Sequence, residues 1–224
     1  MKEEIIAYLK TLRNERNIEG MGRFGINNAH ALGIGMEALR EIAKPIGKNH
    51  ELARELWRDE IHEARILAAI IADPKKITKS DAEELVSLFD SWDFCDQFCM
   101  KVFPRSPFGW EKAFEWTERE HEFEKRSGFA CFAGLAVHDK KAVDDLFYPC
   151  FDSILEGSTD ERNFVKKAVN WALRQIGKRN DNLLEAARET CYRLISEKGS
   201  ASRSARWIAR DALREFEKRS LRNL

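Results

Sequence analysis

Apolar residues return along this chain at intervals of three and four, the spacing that lays a stripe down one side of a helix. In RDEIHEARILAAIIA, residues 58–72, the positions Ile61, Ala64, Leu67, Ala68 and Ile71 share such a stripe. Asp73-Pro74 ends it, because proline cannot continue the backbone ladder. Thr78-Lys-Ser-Asp opens the next helix, in which Ala82, Leu85, Val86 and Phe89 carry the periodicity to Asp90. A further helix is expected over 91–103, stopped by Pro104, with Pro107-Phe-Gly as the next punctuation. The pattern then predicts helices over 110–117, 123–137, 142–154, 161–176, 182–196 and 201–219. No stretch alternates as a strand does.

The later helices resemble one another, as structural repeats do. EKRSGFACFAGLA from Glu124, NFVKKAVNWALRQIG from Asn163 and SRSARWIARDALREF from Ser202 each run from basic residues into small and apolar positions. HEARILAAIIA from His62 is a weaker echo. Taking Arg126, Lys167 and Arg206 as equivalent gives spacings of 41 and 39 residues, and Arg65 lies 61 residues before Arg126, about two shorter repeats. Helical pairs of that length predict an all-α fold, a curved α-solenoid of HEAT-like repeats forming a single domain over residues 1–224. One helix of each pair then lines the concave side, so side chains at equivalent positions converge on a shared groove.

Composition agrees with helix. The 5 Pro and 12 Gly are too few for the frequent turns of a β-sandwich, and a mean hydropathy of -0.51 without a run of eighteen apolar residues argues against a membrane span. The opening MKEEIIAYLKTLRNER mixes acids, bases and apolar residues and lacks the apolar core of a secretory leader, so export is not expected. Cys95, Cys99, Cys131, Cys150 and Cys191 form no CxxC and sit in apolar periodic segments, which reads as reduced core thiols in a cytoplasmic protein. No metal or cofactor is expected. The five histidines are scattered, and Ile66 and Lys125 occupy the positions where HExxH motifs starting at His62 and His121 would need a second histidine. GIGMEALR lacks the Gly-Lys-Ser/Thr of a phosphate loop.

Charge changes the picture. The total is 38 basic against 38 acidic residues, yet residues 157–224 hold sixteen Lys and Arg against nine Asp and Glu, a local +7 that leaves -7 on the remainder. A basic C-terminal third points to a surface for a polyanion.

Two constellations could carry chemistry. In SWDFCDQF, Trp92 and Asp96 are four apart and project from one helix face about 6 Å from each other. An indole face can lie against a sugar ring, and a carboxylate can stabilise positive charge developing on that sugar or orient water toward it. The same pair also reads as a core tryptophan beside a capping or solvated acid. In NFVKKAVNWALRQIGKRN, Lys167, Trp171, Arg174 and Lys178 line one stripe, and Arg203, Arg206, Arg210 and Arg214 repeat it on the last helix beside Trp207. Such stripes suit a phosphate backbone; paired with Glu185, Glu189, Glu215 and Glu217, they equally describe a solvated, ion-paired face.

Together these segments resemble the AlkD-like DNA glycosylases of the DNA alkylation repair class, which are built from HEAT-like repeats. The run Lys167, Ala168, Trp171, Ala172, Leu173, Arg174 matches that family's KAxxWALR pattern, and LWRDEIHEARILAAIIADP, SWDFCDQF and HEFEKRSGFACFA precede it in the right order. The resemblance implies hydrolysis of the N-glycosidic bond of cationic N3- and N7-alkylated purines in duplex DNA, by an enzyme that grips the lesion's backbone and sugar without a base pocket. It further implies catalytic roles for Trp92, Asp96, Arg126 and Trp171 facing one concave basic cleft. With the basic stripes set along that cleft, Lys125, Lys167, Arg174, Lys178, Arg203, Arg206, Arg210 and Arg214 are the residues expected on DNA. A cationic base is already a good leaving group, so no general acid is required. The partners expected are duplex DNA carrying alkylated purines, with no membrane and no obligate protein. A non-catalytic HEAT-like scaffold, binding nucleic acid or protein in the same groove, is the competing reading.

Overall fold

The computed structural model describes residues 1–222, and among them the chain forms thirteen α-helices and no strand. The chain divides into two compact units, Met1–Pro107 and Phe108–Leu224.

The first unit holds α1 (Lys2–Thr11), α2 (Glu15–Arg23), α3 (Met36–Ile46), α4 (His50–Trp57), α5 (His62–Ile71), α6 (Lys79–Leu88) and α7 (Trp92–Lys101), followed by a 3-10 turn at Phe103–Arg105. At its centre is α5, against which α3, α4 and α7 pack. The stripe residues Ala64, Leu67, Ala68 and Ile71 are buried as the periodicity predicts, but His62, Glu63, Ile66 and Ala69 are buried too, since neighbours surround the helix. The helix begins at His62 rather than near residue 58, because the Asp59 carboxylate accepts the Ile61 amide at 3.0 Å and holds a turn ahead of it. Thr78 caps α6 reciprocally: its hydroxyl accepts the Asp81 amide at 3.1 Å, and the Asp81 carboxylate accepts the Thr78 amide at 3.0 Å. The helix expected to Phe103 ends at Lys101 and tightens into the 3-10 turn around Pro104.

In the second unit stand α8 (Gly109–Thr117), α9 (Glu122–His138), α10 (Tyr148–Gly157), α11 (Asn163–Gly177), α12 (Asp181–Arg193) and α13 (Arg203–Arg222). Packed between α8 and α11, α9 is buried without interruption from Arg126 to Ala136. Gly128 permits the close approach of α8: a Cβ there would meet the Thr117 amide nitrogen at 2.4 Å and the Ala113 carbonyl at 2.7 Å. The single helix expected over 142–154 is instead a short 3-10 turn, Asp144–Leu146, followed by α10. Pro149 explains the break, since proline is accommodated only in a helix's first turn, which fixes the start at Tyr148. All five cysteines are buried, and no helix among the described residues is long and apolar enough to cross a membrane.

The forty-residue repeat appears as hydrogen bonds of recurring span that join α9, α11 and α13. Glu122 Oε1 accepts the Phe164 amide, 42 residues on, at 3.3 Å, and Glu161 Oε1 accepts the Ser204 amide, 43 residues on, at 3.1 Å. This register sets Arg126 against Val165 and Ala205, all buried, and Lys166 against Arg206. The equivalence of Arg126 with Lys167 drawn from spacing is therefore shifted: paired acids at the helix starts, rather than basic residues, define the repeat.

Candidate functional site

Ser91 precedes α7, and the helix turns Phe94, Cys95, Phe98 and Cys99 into the core. Trp92 and Asp96, one turn apart, border that core face and are each half-buried. Neither is sequestered in the core. The indole is oriented by a bond from its Nε1 to the Phe24 carbonyl at 3.0 Å, 68 residues away in sequence.

Between these two residues lies a group that periodicity did not single out. Asp93 accepts a hydrogen bond from His62 Nε2 at 2.8 Å and further bonds from the Ser91 hydroxyl and, at 3.0 Å, the Phe94 amide. Burial alone would push the His62 imidazole down, but its bond to Asp93 and the charges of Asp93, Glu63 and Asp90 outweigh that and leave it above its ordinary value. Burial likewise opposes ionisation of Asp93, and His62, Ser91 and the Phe94 amide reverse the balance, so its carboxyl titrates below the usual range. Adjacent Glu63, 1% exposed, accepts the amides of Leu32 at 2.7 Å, Gly33 at 2.6 Å and Ile34 at 3.2 Å. Gly33 has φ of 74° there, and a Cβ would meet the Asn14 carbonyl at 2.3 Å, so the loop needs glycine. Together these bonds fix the segment before α3 to the start of α5 and brace the start of α7. No local signal marks the Glu63 contacts or the His62–Asp93 pair, since the partners lie about thirty residues apart in sequence.

In the second unit, Arg126 is 5% exposed and donates from Nη1 to the Phe164 carbonyl in the first turn of α11 at 2.6 Å. Its neighbour Lys125 is half-buried. Along α11, Lys167 is exposed, and Trp171, Arg174 and Lys178 are half-buried, while Ala168, Val169, Ala172 and Leu173 face the core. Two of these cations are engaged: Arg174 and Lys178 both bind the Glu215 carboxylate on α13, and Arg174 also lies 3.9 Å from Asp211. Although burial alone would raise Glu215, the two cations hold its carboxyl below the usual range. The ion-paired reading thus applies to this end of α11.

The arginines of α13 are differently placed. Arg203 and Arg210 are exposed, Arg203 lying 4.0 Å from Glu161. Arg214 is exposed and pairs with Asp211 at 3.2 Å, whereas half-buried Arg206 donates to the Gly199 carbonyl at 2.5 Å. Arg203, Arg206, Arg210 and Arg214 line one surface groove with Trp207, Leu213 and Glu217. Lys166, passed over by the sequence reading, sets its ammonium 5.1 Å from the Trp207 ring centroid. Trp92 and Asp96 therefore belong to the first unit, and Arg126, Trp171 and the α13 cations to the second. No cluster of three or more histidine, cysteine, aspartate or glutamate side chains suited to a metal occurs among the described residues.

The fold class is that of HEAT-like repeat proteins. A solved structure described as a new family of proteins related to the HEAT-like repeat DNA glycosylases, with affinity for branched DNA structures, superposes with a TM-score of 0.75 at 23% identity, covering 85% of this chain and 81% of that one. A designed armadillo repeat protein in complex with the peptide (KR)4 gives a TM-score of 0.43 at 13% identity, over 80% of this chain and 92% of the other. No curated protein matches the sequence. The profile of the DNA alkylation repair enzyme family matches residues 5–216, and the chain belongs to that family.

Proposed function

We propose that this protein is a monofunctional DNA glycosylase that hydrolyses the N-glycosidic bond of N3- and N7-alkylated purines in duplex DNA. The observation that carries this reading is the retention of Trp92 and Asp96, one turn apart and open to solvent on α7, in a chain whose family match runs from residue 5 to 216. A tryptophan with no other function would be expected to sink into the core, and Trp92 does not.

In this reading the alkylated purine departs with its own positive charge neutralised, so the protein supplies no proton. The Asp96 carboxylate stabilises the oxocarbenium character left on the sugar and orients the attacking water. The indole faces of Trp92 and Trp171 add cation-π stabilisation. Arg126 contributes through the first turn of α11, which its guanidinium ties down. Lys125, Lys167 and the exposed α13 arginines meet phosphates; Arg174 and Lys178 do so to the extent that Glu215 releases them. The reading treats both units as one HEAT-like domain acting in the cytoplasm.

A second reading has specific support. The solved relative with affinity for branched DNA is described as related to the glycosylases, and the buried, bonded Arg126 suits a binding protein as well as an enzyme. Incubating the protein with methylated duplex DNA and measuring release of 7-methylguanine and 3-methyladenine separates the two. Binding without release at any enzyme excess would leave the scaffold reading.

A further inference from the structure

Phosphate contacts account for the arginines of α13 but not for the indole among them. Trp207 is 37% exposed, although Ala205, Ile208 and Ala209 on the same helix are fully buried. It falls at relative position 4 in the series Arg203, Trp207, Arg210, Arg214, that is 0, 4, 7 and 11, so it shares their face of the helix. The Lys166 ammonium sits against the ring at 5.1 Å, and Lys167 is exposed one residue later. Cations thus surround an indole that keeps substantial area in water.

A continuous duplex offers such a residue no base face, because its bases are stacked on one another and only phosphates and sugars face a helix lying along the backbone. An unpaired base has a free π face. Aromatic rings set within a basic groove are the common device by which proteins hold single strands without regard to sequence. We propose that Trp207 is a stacking platform for an unpaired nucleotide, with Arg203, Arg210 and Arg214 on the flanking phosphates, so that the protein prefers DNA bearing a single-stranded overhang to a continuous duplex. Lys166 already presents a positive charge to the ring and moves to a phosphate when a base takes its place. This deepens the DNA-binding part of the proposed function and rests on that part alone, not on base excision.

The test compares binding of a blunt duplex with that of the same duplex carrying a ten-nucleotide thymidine overhang. The parent protein should favour the overhang, and the overhang should quench tryptophan emission. Trp207→Ala should remove the preference, weakening overhang binding roughly tenfold while blunt-duplex affinity stays within about twofold, as expected for loss of one stacked base. Trp207→Phe should retain most of the preference, and Arg210→Ala should weaken both ligands alike. Equal weakening of both by Trp207→Ala, no preference in the parent, or quenching by polyglutamate in place of the overhang would overturn the proposal. Absence of any DNA binding at low salt would sink it together with the phosphate-contact reading, whereas preference for the overhang without release of methylated bases would refute only the glycosylase assignment.

Discussion

The Glu215 carboxylate on α13 binds the Arg174 guanidinium on α11, 41 residues earlier, and holds the Lys178 ammonium in the same grip. One acid thereby occupies two of the cations that the α11 stripe would offer to DNA.

Removing that acid should make the protein a tighter DNA binder. Glu215→Gln frees both cations for phosphates, so duplex affinity at low salt should rise several-fold and the log-log salt slope should steepen by about one to two units. For the same reason Lys178→Ala in the parent should flatten the slope less than Arg210→Ala, which removes an exposed cation. Binding titrations at a series of salt concentrations measure both.

Asp96→Asn should leave circular dichroism and DNA affinity unchanged and slow excision by roughly a hundredfold or more, because it removes negative charge opposite a cationic transition state. Single-turnover release of 7-methylguanine is the readout. Parental excision rates would remove Asp96 from the chemistry, and lost stability with unchanged excision would make it a structural acid.

The His62–Asp93 pair should give the first unit a definite pH response. The His62 imidazole is raised above its ordinary value of 6.5, so the stability it contributes is fully present below that value and is lost as pH rises through the raised one. Asp93 is lowered from 3.8, so its contribution is present above 3.8 and is lost only as pH falls through its lowered value. Between those limits the pair stabilises most. His50 acts in the opposite sense: burial lowers its imidazole, and its contribution fades as pH falls below 6.5. Thermal unfolding of the parent minus that of His62→Gln isolates the pair, and the difference should shrink from pH 6 to pH 9.

Glu63→Gln should destabilise the protein by about 2–3 kcal/mol, since an amide oxygen and nitrogen cannot accept the three amides that the carboxylate holds. Gly33→Ala should cost at least as much through the collision with the Asn14 carbonyl. Denaturant unfolding measures both, and unchanged midpoints would show that the loop before α3 is not secured by this contact.

Much of the fold was legible along the chain because helices are encoded locally. The i, i+3, i+4 recurrence around Leu67, the Thr78 cap and the stop at Pro74 each involve residues within a turn or two of one another. Where the reading failed, a competing local term or a neighbour decided the matter: Pro149 split the helix expected over 142–154, and packing on several sides made α5 buried beyond its stripe. The repeat was visible, but its register was not, because Glu122 and Glu161 declare themselves only by the amides they accept some forty residues later.

From the sequence alone came the helical class, the approximate repeat length, five core thiols, the segregation of positive charge toward the C-terminal third and the Trp92–Asp96 pair, all of which depend on residue type and spacing. Only tertiary structure decided which charges are available. Arg126 and Arg210 are the same residue type in basic helical segments, yet one is buried on the Phe164 carbonyl and the other stands in solvent. Arg174 and Lys178 are bound to Glu215, and Trp207 is left exposed. The physical reason is that a charge is tuned by whatever comes within a few ångströms of it, and those neighbours are brought there by helix stacking rather than by adjacency in the chain.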